Sequence, residues 1–481
     1  MSRSIFDSET DVGDPILAGS SSYDPGSDAY AIKGGGENMW GVRDSFHFVW
    51  TRRSGDFSLT ADITFPGVGG HPDRKACLLV RSSLDADSAY VDAALHAAGL
   101  TSLQWRENAG ANTEQIVANV SSPATLRITR RGDVFWMSWA KRGRSLRPAG
   151  GSVKLRLPDP VYVGLGVCSI DDRVLEEAVF SNVRFETLGL PAATACLEST
   201  LETMDVVHGL RRVVYTGFEH FEAPNWSRDG RELIVNKEGF IYRIPVGGGE
   251  FEPIDIGPLT ECNNDHVLSS DGAWLAISAR AEQDQKSRVY VIPASGGVPR
   301  LITPLAPSYL HGWSPDGATL VYCAARECTN YSTYDVYSVP FAGGSEQRLT
   351  SSPQLNDGPE YSPDGQWIYF NSERTDRMQI WRMRPDGTGQ QQVTFDRYNN
   401  WFAHPSPDGK LLVFISYGGD VEKYLHSANQ DVLLRMMHLR RRDVQTLARI
   451  FGGQGTINVP SWSPDSQKFA YVSYRLAYDP E

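Results

Sequence analysis

The sequence predicts an all-β protein in which an N-terminal β-sandwich precedes a C-terminal six-bladed β-propeller. A turn signature of the form Ser-Pro-Asp-Gly recurs six times, and a short apolar run follows each copy. The copies lie 42 to 57 residues apart, and a four-stranded blade needs about 40 to 45 residues. The first 188 residues lack the signature but contain about ten predicted strands, which is typical of two packed antiparallel sheets.

The signature fits a type I turn position by position. In Ser314-Pro315-Asp316-Gly317, serine suits the first place, proline fixes φ at the second, aspartate tolerates the third and glycine closes the turn. A tight turn between two apolar runs predicts a hairpin. The other copies begin at Ser227, Ser269, Ser362, Ser406 and Ser463. Six hairpins therefore predict six blades.

The last repeat ends after two strands, near Tyr474, so two strands of its blade are missing. Residues 199–205 and 210–215 have the pattern of a third and a fourth strand and lie just before the first repeat. We expect them to complete the sixth blade, because a ring closed in this way has no open edge. The predicted domains are a sandwich over residues 1–188, a short linker over 189–198 and a propeller over 199–481.

These repeats resemble the propeller repeats of the TolB protein and its relatives, over about residues 199–481. The resemblance implies the architecture and says little about activity, because this fold hosts many unrelated functions. The sequence contains no Gly-x-Ser-x-Gly elbow after the repeats, so a serine peptidase is not expected.

In the N-terminal third, apolar and polar residues alternate from Phe57 to Phe65, which predicts a half-buried strand. The segments Trp40-Gly41, Phe46–Val49, Ser54–Phe57 and Phe180–Phe185 resemble the concanavalin-like jelly-roll domains related to regulators of enolase. The resemblance implies a jelly roll. Since such domains often accompany carbohydrate-active modules, it also implies a glycan ligand.

Composition excludes several function classes. The formal net charge of −12 argues against a nucleic-acid surface. No apolar run approaches a membrane span, and the first ten residues lack the apolar core of a signal peptide. Six scattered cysteines without a Cys-x-x-Cys pair predict free thiols. We expect a cytoplasmic protein with no nucleic-acid or membrane partner, and the oligomeric state is left open.

The residues just ahead of the signatures are expected to gather around one mouth of the propeller channel. His266 and His311 stand three residues ahead of the signature serine in adjacent repeats. Histidines together with carboxylates suit a general acid–base pair or a divalent metal. The predicted catalytic residues are Glu222, His266, His311, Asp357 and His404. His266, His311 and His404 are also the candidate ligands of a divalent ion such as manganese, calcium or zinc.

The same face supplies the candidate substrate-binding residues, which are Asn264, Tyr309, Glu360, Asn400, Trp401, His426 and Asn458. Tyr309 and Trp401 are suited to stacking on a sugar ring. His426 belongs to a long insertion in the fifth repeat, residues 417–431, which is expected to open on this face. The alternative is that these side chains line an ordinary water-filled channel.

Two functions of different classes fit this pattern. The first is a carbohydrate-active protein that binds an oligosaccharide or glycoside and cleaves it as a lyase or a hydrolase. It loosely resembles the propeller-type oligogalacturonate lyases, which also use histidines at a metal-bearing channel mouth, although their ligand spacing is not matched. The second is a non-catalytic interaction scaffold like TolB itself. Only the enzyme is expected to depend on His266 and His311.

Overall fold

The computed structural model describes residues 4–67, 69–190, 194–326 and 334–477, and within these ranges every regular element is a β-strand. The strands up to residue 217 are β1 (Ser8–Val12), β2 (Ser20–Asp24), β3 (Ala29–Gly34), β4 (Asn38–Trp40), β5 (Arg43–Arg53), β6 (Phe57–Thr64), β7 (Lys75–Arg81), β8 (Tyr90–His96), β9 (Thr101–Arg106), β10 (Glu114–Val117), β11 (Thr125–Arg131), β12 (Val134–Ala140), β13 (Arg147–Pro148), β14 (Val153–Lys154), β15 (Val161–Cys168), β16 (Glu176–Thr187), β17 (Cys196–Asp205) and β18 (Arg211–Gly217).

The remaining strands are β19 (Phe221–Trp226), β20 (Glu232–Lys237), β21 (Phe240–Pro245), β22 (Glu252–Pro253), β23 (Cys262–Leu268), β24 (Trp274–Arg280), β25 (Ser287–Pro293), β26 (Arg300–Leu301), β27 (Ser308–Trp313), β28 (Thr319–Ala324), β29 (Asp335–Pro340), β30 (Gln347–Arg348), β31 (Asn356–Tyr361), β32 (Ile368–Ser372), β33 (Gln379–Met383), β34 (Gln391–Gln392), β35 (Asn399–Pro405), β36 (Leu411–Tyr417), β37 (Gln430–His438), β38 (Val444–Gly452) and β39 (Lys468–Ala477). Part of the predicted linker (residues 191–193) and Cys328 lie outside the described residues.

The chain divides into two compact units. The first comprises Met1–Cys196, Leu210–Gly217 and Arg475–Glu481, and the second comprises Leu197–Gly209 and Phe218–Tyr474. Both units therefore draw on more than one stretch of the chain. The boundaries predicted at residues 188 and 199 did not anticipate that residues 210–217 belong to the first unit.

The first unit contains two β-sheets. One has the strand order β1-β5-β15-β7-β8-β9-β10-β18, with β4 paired to β5, and the other has the order β13-β12-β11-β6-β16-β3-β2, with β14 paired to β12. Alternate residues of both sheets share one apolar core, which includes Leu59, Leu78, Val91, Ile128 and Leu165. Successive side chains of a strand point to opposite faces of its sheet, so this core takes every second residue. The assignment to the concanavalin-like jelly rolls stays a prediction.

A buried ion-pair cluster lies in the first sheet of this unit. Asp44 accepts hydrogen bonds from Arg81 Nη1 at 2.7 Å and from Arg106 Nη2 at 2.7 Å. The side chains of all three residues are fully buried. A buried carboxylate that pairs with two guanidinium groups offsets part of the cost of removing three charges from water.

The second unit contains five separate four-stranded antiparallel sheets, which are β19–β22, β23–β26, β27–β30, β31–β34 and β35–β38. Each is one blade of a β-propeller, and the first strand of each blade carries the residues ahead of the turn signature. These inner strands are β19, β23, β27, β31 and β35. The predicted all-β fold with a propeller is confirmed.

The turn signatures form tight turns, each closed by a hydrogen bond between its first and fourth residues. The amide of Gly317 donates to the carbonyl of Ser314 at 2.9 Å, and Ser314 Oγ donates to Asp316 Oδ1 at 2.5 Å. The serine–aspartate hydrogen bond recurs in the other five turns, at 2.5 to 2.7 Å. Serine and aspartate therefore fix the turn through their side chains as well as their backbones.

The sixth blade does not form as a separate four-stranded sheet, so the prediction of six blades is not confirmed. Of the two strands assigned to complete it, β17 lies beside β39 as expected. The other, β18, belongs to the first unit, where Ile116 of β10 pairs with Arg211 in parallel. Strand β10 would otherwise expose an unpaired edge, and its backbone groups are satisfied by this pairing.

Candidate functional site

The inner strands of all five blades change register once, near the residues predicted to form the site. The shifts lie between Glu222 and Asn225 in β19, Cys262 and His266 in β23, Leu310 and Gly312 in β27, Asp357 and Glu360 in β31, and Trp401 and His404 in β35. A bulge leaves a residue unpaired and redirects neighbouring side chains. The bulges therefore decide which of the predicted residues point together.

Three of these bulges contain a residue in the left-handed backbone region, namely Ala223 at φ 56°, Gly358 at φ 58° and Phe402 at φ 52°. A Cβ on Gly358 would lie 2.6 Å from the side-chain nitrogen of Asn371. The glycine is therefore needed for space as well as for its φ angle.

We expect Gly358→Ala to lower the free energy of unfolding by about 2 kcal/mol, because it adds a clash to the strain of a positive φ. Gly409→Ala is the matched control, since Gly409 has a φ of 68° and its added Cβ would have open space. Chemical denaturation of both variants measures the difference. Equal losses would show that Asn371 moves aside at no cost.

A buried cluster forms where β27, β28 and β31 lie side by side. His311 Nε2 lies 3.2 Å from Asp357 Oδ1. Cys323 Sγ joins them, and one ligand atom from each of the three residues lies within 4.8 Å of the other two. Asp265 of β23 interacts electrostatically with both His311 and Asp357. We call these four residues the channel cluster.

The charges of the channel cluster depend on one another. Burial alone would lower the pKa of His311, but the carboxylates of Asp265 and Asp357 outweigh it and raise the pKa to about 9. Burial alone would raise the pKa of Asp357, but its hydrogen bond to His311 holds the pKa below the ordinary value. Burial raises the pKa of Asp265 to about 6. An imidazolium between carboxylates is therefore the stable arrangement at neutral pH.

Glu222 lies beside the channel cluster and is the only one of the five predicted catalytic residues that is not buried. Asn264 Nδ2 donates to its Oε2 at 3.5 Å. Desolvation raises the pKa of Glu222 to about 7, and the charge of Asp265 contributes to the shift. A Cβ on Gly455 would lie 2.6 Å from Glu222 Oε2, so this glycine leaves the carboxyl its space.

Two of the three predicted metal-ligating histidines are occupied elsewhere. His266 is fully buried, its Nε2 lies 3.1 Å from the carbonyl oxygen of Ile234, and burial lowers its pKa to about 4. His404 uses Nδ1 for Glu360 and Nε2 for the carbonyl of Ile457. Within the described residues, only His311 of the predicted trio belongs to a group that could hold a metal.

His426 reaches the site from the insertion of the fifth repeat. Its ring centroid lies 4.5 Å from that of Trp401 and 5.3 Å from that of Phe402, and the Phe402 ring stacks on His311 at 6.1 Å. Trp401 is completely buried, so it packs under His426 and presents no face to a sugar. Its predicted stacking role is therefore not supported by this arrangement.

The other predicted substrate-binding residues divide into two groups. Asn400 is fully buried, and it donates to Gln379 and Asp396 and accepts from Ser416 Oγ. Its side chain is therefore used in contacts within the fifth blade and between the fourth and fifth blades. Glu360 is committed to His404. The other three can still serve the site. Asn264 donates to Glu222, Tyr309 remains partly accessible, and the backbone of Asn458 interacts with His311.

Cys323 is the cluster residue that the sequence did not reveal. It lies in the apolar run of β28 and faces Tyr309 across the sheet, and nothing in its neighbours distinguishes it from a core residue. Cys77, Cys168, Cys262 and Cys323 are all buried free thiols, and Cys196 is an exposed one. A cysteine in the second strand of a blade is a signal only once the strand pairing is known.

Comparison with known proteins places the fold. A family model described as the TolB beta propeller domain matches residues 305–440. The uncharacterized protein Atu1656 of Agrobacterium fabrum is 48% identical over 279 residues, which cover 58% of this chain and 93% of that protein. A solved structure of a proposed TolB from Agrobacterium tumefaciens is 48% identical, with a TM-score of 0.55 and coverage of 58% of this chain and 99% of its own.

A structure of oligogalacturonate lyase in complex with manganese is also similar. It is 14% identical with a TM-score of 0.37, and the match covers 54% of this chain and 75% of the lyase. A likeness this remote does not bear on activity. The described part of the chain contains no helix with the length and apolarity that a membrane crossing needs.

Proposed function

Because this chain belongs to the family of TolB-like β-propeller proteins, whose fold hosts unrelated activities, we propose its function from the site: it binds and cleaves an oligosaccharide or glycoside by acid–base chemistry. The observation that carries the proposal is Glu222. It is a partly accessible carboxyl with a pKa of about 7. It interacts electrostatically with Asp265, which in turn interacts with His311 and Asp357. An acid with a pKa near the working pH is the group that general acid catalysis requires.

The residues of this chain take separate roles in the proposal. Glu222 delivers its proton to the departing glycosidic oxygen as the bond breaks, and its carboxylate is re-protonated from water. The carboxylate of Asp265 accepts a proton and afterwards releases it to water. In a hydrolase that proton comes from the water whose oxygen bonds to the anomeric carbon, and in a lyase it comes from the carbon next to the sugar carboxylate, whose C–H electrons form the new double bond. Asn264 orients Glu222 through its amide.

A divalent ion held in the channel cluster would supply a Lewis acid for a sugar oxygen. The cluster that can hold such an ion contains His311, Cys323 and Asp357. Neither His266 nor His404 is part of it.

The second candidate is a non-catalytic scaffold that grips a partner at the channel mouth. The observation in its favour is burial: Asp265 is 3% exposed, His311 6% and Asp357 8%. A buried network of satisfied charges also serves to fix the fold of a binding surface. Glu222 separates the two candidates, because a scaffold has no need of a protonated carboxyl at the mouth.

The test is a screen of the full chain against neutral glycosides and oligouronides. Release of reducing ends without an unsaturated product would indicate a hydrolase, and an ultraviolet-absorbing unsaturated product would indicate a lyase. Glu222→Gln should lower the activity by about 10²–10⁴-fold, and the exposed Glu250→Gln should keep it. Turnover near the wild-type rate in Glu222→Gln would contradict the assigned role, and no turnover on any substrate would favour the scaffold.

A further inference from the structure

His311, Cys323 and Asp357 have the spacing of a tetrahedral metal site. Their ligand atoms lie within 4.8 Å of one another, and Nε2 of His311 is 3.2 Å from Asp357 Oδ1. Zinc binds nitrogen and oxygen at about 2.0–2.2 Å and sulfur at about 2.3 Å, so tetrahedral ligand atoms lie about 3.3–3.8 Å apart. The three atoms therefore reach a common ion after small side-chain movements.

The strands hold these ligands rigidly. His311 lies in the bulge of β27, at the register shift between Leu310 and Gly312, so its own position is free of the ladder. Cys323 is placed by the pairing of β28 with β27, and Asp357 stands at the bulge of β31. Ligands on paired strands lose little entropy on binding an ion.

The donor set selects the metal. A thiolate is a soft ligand, an imidazole is intermediate and a carboxylate is hard, and this mixture is typical of zinc. Calcium takes six to eight oxygen ligands, and manganese also prefers oxygen. The three residues offer one oxygen-bearing group, so the set does not suit either ion.

We propose that His311, Cys323 and Asp357 bind one zinc ion and leave its fourth position open. Three protein ligands with an open position are the pattern of catalytic rather than structural zinc. Asp265 and His426 lie around the ion as outer groups, since both interact electrostatically with His311 and Asp357. Nδ1 of His426 is buried and has no hydrogen-bond partner among the described residues, so it is available to a ligand at the open position.

Binding must be balanced by proton release. Zinc needs the thiolate of Cys323 and a neutral His311, so the thiol proton and any imidazolium proton go to solvent. The ion then replaces that positive charge between the carboxylates. This inference deepens the proposed function, on which the catalytic meaning of the ion rests, but zinc binding itself can be measured without a substrate.

The experiment measures metal content and the cobalt spectrum of the full chain. We expect about one zinc per chain after dialysis against zinc and then metal-free buffer. Cobalt should give a thiolate-to-metal charge-transfer band in the near ultraviolet. Cys323→Ser and Asp357→Asn should each weaken zinc binding at least about tenfold, and Cys323→Ser should also abolish the band. Cys262→Ser, which alters another buried thiol of the propeller, should change neither.

The possible outcomes test the zinc site and the proposed function separately. Absence of zinc from the wild type, or an unchanged band in Cys323→Ser, would overturn the site, and circular dichroism excludes misfolding as the cause of a loss. Zinc binding without cleavage of any glycoside would leave the metal site standing and refute the proposed function. Cleavage at full rate by zinc-free protein would leave the proposed function standing and show that the ion has no catalytic role.

Discussion

Replacing Asp44 with asparagine is expected to lower the free energy of unfolding of the first unit by about 3–5 kcal/mol. The change leaves Arg81 and Arg106 with buried positive charges and no carboxylate, and the loss of one partner from a buried ion cluster costs this much. Both guanidinium groups keep backbone acceptors, such as the carbonyls of Asp85 and Gly41, but a neutral carbonyl does not balance their charge.

The measurement is denaturant unfolding, monitored by hydrogen exchange of the amides of β7 and β9. These strands report on the first unit, which need not unfold together with the second. Asp87→Asn is the control, since Asp87 is an exposed aspartate of the same unit and its replacement should change the free energy by less than about 0.5 kcal/mol. A loss below about 1 kcal/mol for Asp44→Asn would mean that backbone carbonyls suffice for the two arginines.

Replacing Glu222 with glutamine is expected to lower kcat by about 10²–10⁴-fold on the substrate found by the screen, with KM little changed. The activity of the wild type should fall as the pH rises through about 7, because the pKa of Glu222 lies there and the acid form is lost above it. The residual activity of Glu222→Gln should not fall in this pH range. A fall that persists in the variant would assign the titration to another group.

Stability gives an independent check on the same carboxyl. The folded pKa of Glu222 is raised above its usual value of 4.5, so its contribution to stability is fully present below pH about 4.5 and is lost as the pH rises through about 7. Glu222→Gln should therefore gain stability relative to the wild type between pH 5 and pH 8. Glu250→Gln should follow the wild type throughout.

Much of the fold could be predicted because short-range patterns determine it. The alternation of apolar residues from Phe57 to Phe65 predicted β6 to within one residue of its observed end, and the Ser-Pro-Asp-Gly turns placed every blade hairpin. Residues 210–217 show the limit of such reasoning. Their pattern indicates a strand, which is observed as β18, but it does not reveal that β18 pairs in parallel with β10, because that pairing depends on which strand edge is left unpaired.

The candidate site was predicted in part for the same reason. The repeat alignment brought His311 and Asp357 together on neighbouring inner strands. It could not foresee the bulges, because inner-strand segments such as Asn356–Tyr361 have no apolar alternation whose interruption would reveal an extra residue. His266 and His404 were therefore assigned to a metal, whereas His266 lies against a carbonyl of the preceding blade and His404 joins Glu360 to Ile457.

The pairing of β17 with β39 bears on how the second unit folds. Each turn of the repeats is closed by contacts within five residues, and hairpins of this kind form within about 1–10 μs. Glu202 of β17, in contrast, accepts hydrogen bonds from Tyr471 and Ser473, across 269 and 271 residues. Contacts that close so long a loop form late and slowly. Renaturation of the second unit therefore depends on the pairing of β17 with β39. Until these two strands pair, each has an edge that is open to other chains.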